Sequence, residues 1–181
     1  NRPDLFTRQI RLPELLYQSV VEIDERIGAD GEIIEAPDGD RVRKALAAVF
    51  ETGIRAVAIC FVHGYRFHAH EGLVARIARE IGFTQVSTSH EVSPLMKFVS
   101  RGDTTVVDAY LTPILRRYVD QVAAELEGTR LMFMQSNGGL TDSALFQGKD
   151  SILSGPAGGI VGAVRTSEIA GFDHIIGFDM G

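Results

Sequence analysis

The chain has 181 residues, 45% of them hydrophobic and 23% charged, with a formal net charge of −6 and a pI near 5.3. That size and composition suit one or two folded globular domains, and an acidic balance without a lysine–arginine run excludes the electrostatic footprint of a nucleic-acid binder. No apolar run reaches the roughly 20 residues of a membrane-spanning helix, nothing near Asn1 resembles a signal peptide, and a lone Cys60 excludes an internal disulfide and a thiolate zinc site. The expectation is a cytoplasmic protein with neither a membrane nor a nucleic acid as partner.

The first apolar period spaces Leu12, Leu15, Leu16, Ser19, Ile23 and Ile27 three to four apart, with Pro13 near its start and Gly28 just past its end, which predicts a helix over 12–27. A second helix is predicted over 40–52. Its apolar face is Val42, Leu46, Val49 and Phe50, with Asp38 or Asp40 as cap and Gly53 to close it. Residues 55–62 form a short continuous run rich in valine and isoleucine, as in a parallel strand buried on both faces. Cys60, inside that run, reads as a small buried hydrophobe.

The alternation continues. Leu73, Val74, Ile77 and Ile81 predict a helix ended by Gly82, and a weaker strand follows over 84–89. A long helix is expected over 103–127, kinked or divided at Pro113. Then come a strand over 131–134, a short helix over 142–146, a brief strand over 151–153, a glycine-rich helix over 156–170 and a final strand over 175–178. Strands alternating with helices predict an α/β fold, a mainly parallel sheet flanked by helices.

Glycine is concentrated in Leu153-Ser154-Gly155-Pro156-Ala157-Gly158-Gly159-Ile160-Val161-Gly162-Ala163, where a helix must start. Glycine inside a helix costs up to about 1 kcal/mol relative to alanine, so the cluster implies close approach to the backbone. Tight packing on a sheet explains it most simply. A helix start with free N–H groups at Ala157 to Gly159 and the Ser154 hydroxyl nearby also suits an anion. Gln135-Ser136-Asn137-Gly138-Gly139 follows a predicted strand and has two readings, a plain turn, which Asn-Gly-Gly favours, and a polar loop of a ligand cleft. The histidines His63, His68, His70 and His90 show no metal-ligand spacing, and His63 and His90 read as hydrogen-bonded structural residues.

The small-residue helix, Gly171, and an apolar strand ending in Asp179-Met180-Gly181 resemble the segment between the two lobes of the actin, sugar-kinase and seventy-kilodalton heat-shock ATPase superfamily. Further stretches narrow the resemblance: Arg2-Pro3-Asp4-Leu5-Phe6, Ala58-Ile59-Cys60-Phe61-Val62-His63-Gly64-Tyr65, Ser89-His90-Glu91-Val92-Ser93-Pro94, and Thr104-Thr105-Val106-Val107-Asp108-Ala109-Tyr110-Leu111-Thr112-Pro113. With Met134-Gln135-Ser136-Asn137-Gly138-Gly139-Leu140 and Leu153-Ser154-Gly155-Pro156-Ala157-Gly158-Gly159, they are together similar to the hydantoinase A / 5-oxoprolinase family, over essentially the whole chain.

That resemblance implies part of an actin-like (RNase H-like) ATPase fold. Residues 1–101 would be the later part of an N-terminal hydantoinase/oxoprolinase module, and 102–181 the start of the nucleotide-binding core. It also implies ATP-dependent opening of a cyclic amide such as a hydantoin or 5-oxoproline, with ATP activating the amide by phosphorylation. ATP and magnesium are the implied cofactors, with Asp179 placing the metal and Gly181 in the phosphate turn. Ser136, Asn137, Gly138, Gly139, Ser154, Gly155, Gly158 and Gly159 are the other nucleotide-site candidates, and no catalytic residue is assigned. A hydantoinase B-type subunit or domain is the expected partner. The alternatives are a chaperone-like member whose lobe closure serves binding, a related ketone carboxylase subunit, and a docking role for residues 1–100. The chain opens without methionine and ends inside the Asp-Met-Gly motif, so it is expected to be a piece of a larger enzyme, unable alone to bind ATP tightly or hydrolyse it.

Overall fold

The computed structural model describes residues 14–126 and 128–178. The elements run β1 (Arg26–Ile27), β2 (Ile33–Glu35), α1 (Gly39–Glu51), β3 (Ala56–Ile59), α2 (Ala69–Ile81), β4 (Gln85–Thr88) and α3 (Ser89–Val92). They continue with α4 (Phe98–Glu125), β5 (Met132–Met134), β6 (Leu140–Asp142), a 3₁₀ turn (Ser143–Leu145), α5 (Gly148–Ser151) and α6 (Ser154–Ile169).

Local chemistry sets several boundaries. The Asp38 carboxylate accepts from the N–H groups of Asp40 and Arg41 and so caps α1, and Gly53 leaves that helix with φ +95°. Gly82 ends α2 in the left-handed region at φ +116°. Val42, Leu46, Val74, Ala75, Ile77 and Ala78 of these two helices form a buried core with Ile59 and Phe83, onto which Val57 and Val86 also pack. The opposite face of β3 and β4 meets α4. There the Ser87 hydroxyl donates to Asp108 at 2.7 Å, and a Cβ at Gly102 would stand in ordinary contact with the Cys60 sulfur.

The α/β class holds, and the parallel pairing within it is the β3–β4 pair, with Ala56 opposite Gln85 and Ile59 opposite Thr88. The pairs β1–β2 and β5–β6 are antiparallel. The expected helix over 12–27 is replaced, across its described part, by irregular chain leading into β1. Leu15 and Leu16 on its apolar stripe are exposed, while Ile23 packs on the core and Ile27 is buried, so only the end of the stripe finds a surface, and periodicity without tertiary packing does not hold a helix. Proline does not divide α4, which runs for 28 residues through Pro113. The brief strand expected over 151–153 is absent. Residues 148–151 are instead the helical turn α5, because the Thr112 hydroxyl and Asp108 carboxylate of α4 accept from Gly148 N–H (2.9 Å) and Lys149 N–H (3.1 Å). Residues 175–178 form no strand either, and Ile176 and Phe178 stand exposed.

Two joints bind the later elements to α4. The Arg116 guanidinium donates to the carbonyls of Ser143, Ala144 and Phe146, and Phe133 of β5 stacks on Phe146 with centroids 5.0 Å apart. Asp108 holds three elements at once, since its carboxylate accepts from Ser87 of β4, Thr112 of α4 and Lys149 N–H of α5.

Candidate functional site

Two polar sites stand out. In the first, residues 135–139 turn the chain between β5 and β6. Gln135 N–H donates to Gly139 C=O at 2.8 Å, Gly138 N–H donates to Gln135 C=O at 2.9 Å, and Gly138 takes φ +82°. The Asn137 side-chain oxygen accepts from Gly139 N–H at 2.8 Å, which completes a tight turn. Thus the turn chemistry of Asn-Gly-Gly is realised in a hairpin, and Ser136 and Asn137 follow the carboxyl end of β5.

The structure brings this turn against the start of α6. The Ser136 hydroxyl donates to Asp150 C=O at 2.7 Å and accepts from Leu153 N–H at 3.0 Å, while Ser136 N–H also reaches Asp150 C=O. A Cβ at Gly138 would lie 3.3 Å from Val161 of α6, and one at Gly158 would lie 3.6 Å from Met134 of β5. The helix begins two residues before Pro156, so Ala157 N–H is not free; it donates to Leu153 C=O at 3.0 Å. The unpaired N–H groups of the first turn therefore move to Ser154 and Gly155, while the Ser154 hydroxyl turns back to Ser151 C=O. Close approach holds for Gly158. Gly155 and Gly162 meet nothing within 4 Å among the described residues, and Gly159 is exposed. Asp179 and Gly181 lie outside the described residues.

The second site was not singled out by the sequence. It lies at the carboxyl ends of β3 and β4. Glu71, wholly buried on α2, accepts from Phe61 N–H (3.0 Å) and the Ser89 hydroxyl (2.5 Å) on one oxygen, and from His90 N–H (3.1 Å) and His90 Nδ1 (2.7 Å) on the other. Arg101, also wholly buried, donates Nε–H to the Ser89 hydroxyl at 2.9 Å. Its remaining donors reach the carbonyls of Leu95, Met96, Phe61 and Val62. A serine hydroxyl thus bridges a buried cation to a buried anion, and the loop after each strand is fastened to both charges. Gly64 is required there, because a Cβ would stand 2.1 Å from a Glu71 oxygen. His63 Nδ1 pairs with Ile27 C=O at 2.7 Å, as a structural histidine does. The residues of this site come from positions 61, 71, 89, 90 and 101; the stretches Ala58 to Tyr65 and Ser89 to Pro94 hold three of them, and neither holds the two buried charges. The available signal was the polar stretch Ser89-His90-Glu91 at the end of the strand predicted over 84–89.

Burial pushes the Cys60 thiol above its ordinary value of 9.0, opposed in part by the Ser89 hydroxyl and the Arg101 charge. A thiol whose folded pKa is raised contributes its stability fully below pH 9.0, and loses it as pH rises beyond that value. Alkylation of the native chain at pH 8 is expected to run at least tenfold slower than in urea. Equal rates in the two conditions would show Cys60 open to solvent.

The fold around these sites is shared with ATP-dependent enzymes of known structure. The chain superposes on the ATP-dependent caprolactamase of Pseudomonas jessenii with a TM-score of 0.79 and 32% identity, over 88% of this chain and 24% of that one. A nucleotide-free acetone carboxylase shares the fold, with a TM-score of 0.73 and 23% identity over 83% of this chain and 22% of that one. The architecture is the α/β type of an actin-like ATPase fold. The profile of the hydantoinase/oxoprolinase N-terminal region matches residues 1–82, that of hydantoinase/oxoprolinase matches residues 101–181, and the chain belongs to this family. The 5-oxoprolinase of Saccharomyces cerevisiae is 43% identical over 99% of this chain and 16% of its own length, and that of Dictyostelium discoideum is 38% identical over 100% and 18%. The chain therefore spans less than a fifth of the length of these relatives.

Proposed function

We propose that this chain is a segment of an ATP-dependent cyclic-amide hydrolase, which opens a ring such as that of 5-oxoproline or a hydantoin. One observation carries the reading: likeness along the whole chain to two 5-oxoprolinases, joined by structural likeness to a caprolactamase. The substrates in those names are all ring amides. A ring amide resists water, and ATP supplies the activation when bound, by making the amide oxygen part of a leaving group.

Within this chain, the hairpin turn Ser136 to Gly139 and the start of α6 form the wall of the nucleotide site. Asn137's side-chain amide and the N–H groups of Ser154 and Gly155 are the donors left for phosphate oxygens, while Ser136 holds the turn to α6. That donor set fits one side of an anion. Gly158 admits close packing of α6 on β5, Gly159 stays on its bare face, and Asp179 with Gly181 supplies the magnesium ligand and the phosphate turn. Residues 1–101 serve as the later part of the N-terminal module and 102–181 as the start of the core. A second, hydantoinase B-type subunit or domain is the partner, in line with a relative named as a caprolactamase alpha subunit that is 32% identical. Among the described residues no helix is long and apolar enough to cross a membrane, and an acidic chain with one free cysteine suits the cytoplasm.

The test is ADP release by the full-length polypeptide with its second subunit, given ATP, magnesium and in turn 5-oxoproline, hydantoin, caprolactam, or acetone with bicarbonate. At least one cyclic amide is expected to raise the rate tenfold or more. Stimulation by the ketone alone would reject amide hydrolysis in favour of carboxylation.

A further inference from the structure

The Glu71–His90 pair has the geometry of a proton-accepting site. An ionised carboxylate has lone pairs only, so His90 Nδ1 carries the hydrogen of its 2.7 Å bond to Glu71, and a neutral ring then presents its Nε2 lone pair. The His90 side chain is 18% exposed, and Nε2 has no hydrogen-bond partner among the described residues, nor is it sealed from solvent. The His68 ring stacks against it with centroids 4.8 Å apart, which fixes the plane and leaves the ring edge open. Backbone and side chain of His90 both bond to the same Glu71 oxygen, so the ring is held from two directions. Arg101, acting through Ser89, keeps a positive charge behind that carboxylate. All this stands where two adjacent parallel strands end, the edge at which open α/β sheets take ligands.

We infer that His90 is the general base of the activation step and that Glu71 is its positioning residue. The inference rests on the cyclic-amide reading above. A neutral amide is a poor oxygen nucleophile until its N–H proton is removed. In the step assigned here, the ring N–H proton moves to His90 Nε2, and the N–H bond pair becomes the C=N bond as the carbonyl π pair shifts to oxygen. That oxygen bonds to the terminal phosphorus of a nucleoside triphosphate, and the bond to the departing nucleoside diphosphate breaks. The imidazolium so formed faces the Glu71 carboxylate, which stabilises it as the buried carboxylate of a serine-protease triad stabilises its histidine.

The experiment compares full-length wild type with His90→Gln, His90→Gly and Glu71→Gln, using cyclic-amide-dependent ADP release and thermal melting. His90→Gln is expected to lower kcat at least 100-fold, with KM within threefold and the melting temperature close to wild type. Glu71→Gln lowers kcat similarly, because an amide favours the other tautomer. Added imidazole restores turnover to His90→Gly tenfold or more, whereas 1,2,4-triazole, of like shape but weakly basic, does not. Nitrogen NMR of labelled wild type supplies a readout independent of turnover, and is expected to show hydrogen on His90 Nδ1. Hydrogen on Nε2, equal rescue by the two azoles, or a stimulated wild type matched by His90→Gln overturns the base assignment alone. A wild type that no cyclic amide stimulates overturns the functional reading and the base with it.

Discussion

Replacing Arg101 by methionine is expected to remove about 3–5 kcal/mol of folding stability, the usual loss when one partner of a buried charge pair is taken away. The reason lies in what the guanidinium holds. Without it the Ser89 hydroxyl and four backbone carbonyls, those of Phe61, Val62, Leu95 and Met96, lose a donor inside the fold. Glu71 also keeps its charge while losing the cation bridged to it through Ser89. For a chain of this size, each kcal/mol shifts the melting temperature by roughly 2–4 °C, so the drop is on the order of 10 °C. Urea denaturation of wild type, Arg101→Met and Arg101→Lys measures it. Lysine restores the charge but not the fork of donors and should recover only part of the loss. A loss below about 1 kcal/mol in Arg101→Met would mean that water replaces the clamp.

The second large effect is expected at Gly148. A Cβ there would lie 2.7 Å from the Thr112 backbone nitrogen and 2.8 Å from Leu111 Cβ, and the backbone of α4 cannot give way as a flexible side chain can. Gly148→Val should therefore push α5 off α4, at a cost of at least the 1–3 kcal/mol typical of overpacking. The damage travels. Asp150 C=O, at the far side of α5, receives both donors of Ser136, so displacing α5 releases the hairpin turn from the start of α6. Nucleotide-dependent turnover of the full-length polypeptide should fall at least tenfold in Gly148→Val while Gly155→Ala, which meets open space, melts as wild type. Wild-type turnover in Gly148→Val would show that the turn does not need α5.

Sequence reading succeeded where the cause of structure is local. Asp38 with Gly53, and Gly82 alone, mark helix ends by chemistry contained in a few residues, and the apolar run at β3 announces a strand by itself, although Ile59 is its one buried residue. It failed where the deciding partner is distant. The stripe from Leu15 and Leu16 to Ile27 has helical spacing, but only Ile23 and Ile27 at its end find a surface to pack on. Residues 148–151 turn helical because Asp108 and Thr112, some forty residues earlier, cap them. The turn at Gln135 to Gly139 was legible as a turn; that Ser136 ties it to α6 was not. At the second site His90 was legible as a hydrogen-bonded residue, which it is, but its partner, a carboxylate nineteen residues away on another helix, was not.

The length of α4 has a mechanical consequence. At 1.5 Å per residue its 28 residues make a rod of about 42 Å. Arg101 fixes one end of it to the loops after β3 and β4, and Arg116 and Asp108 fix its later turns to the 3₁₀ turn and α5. Pro113 lies between these fastenings and so does not act as a free joint. Held at both places, the rod acts as a strut that sets the spacing between the Glu71–His90 site at one end and the α5 turn with its hairpin further along.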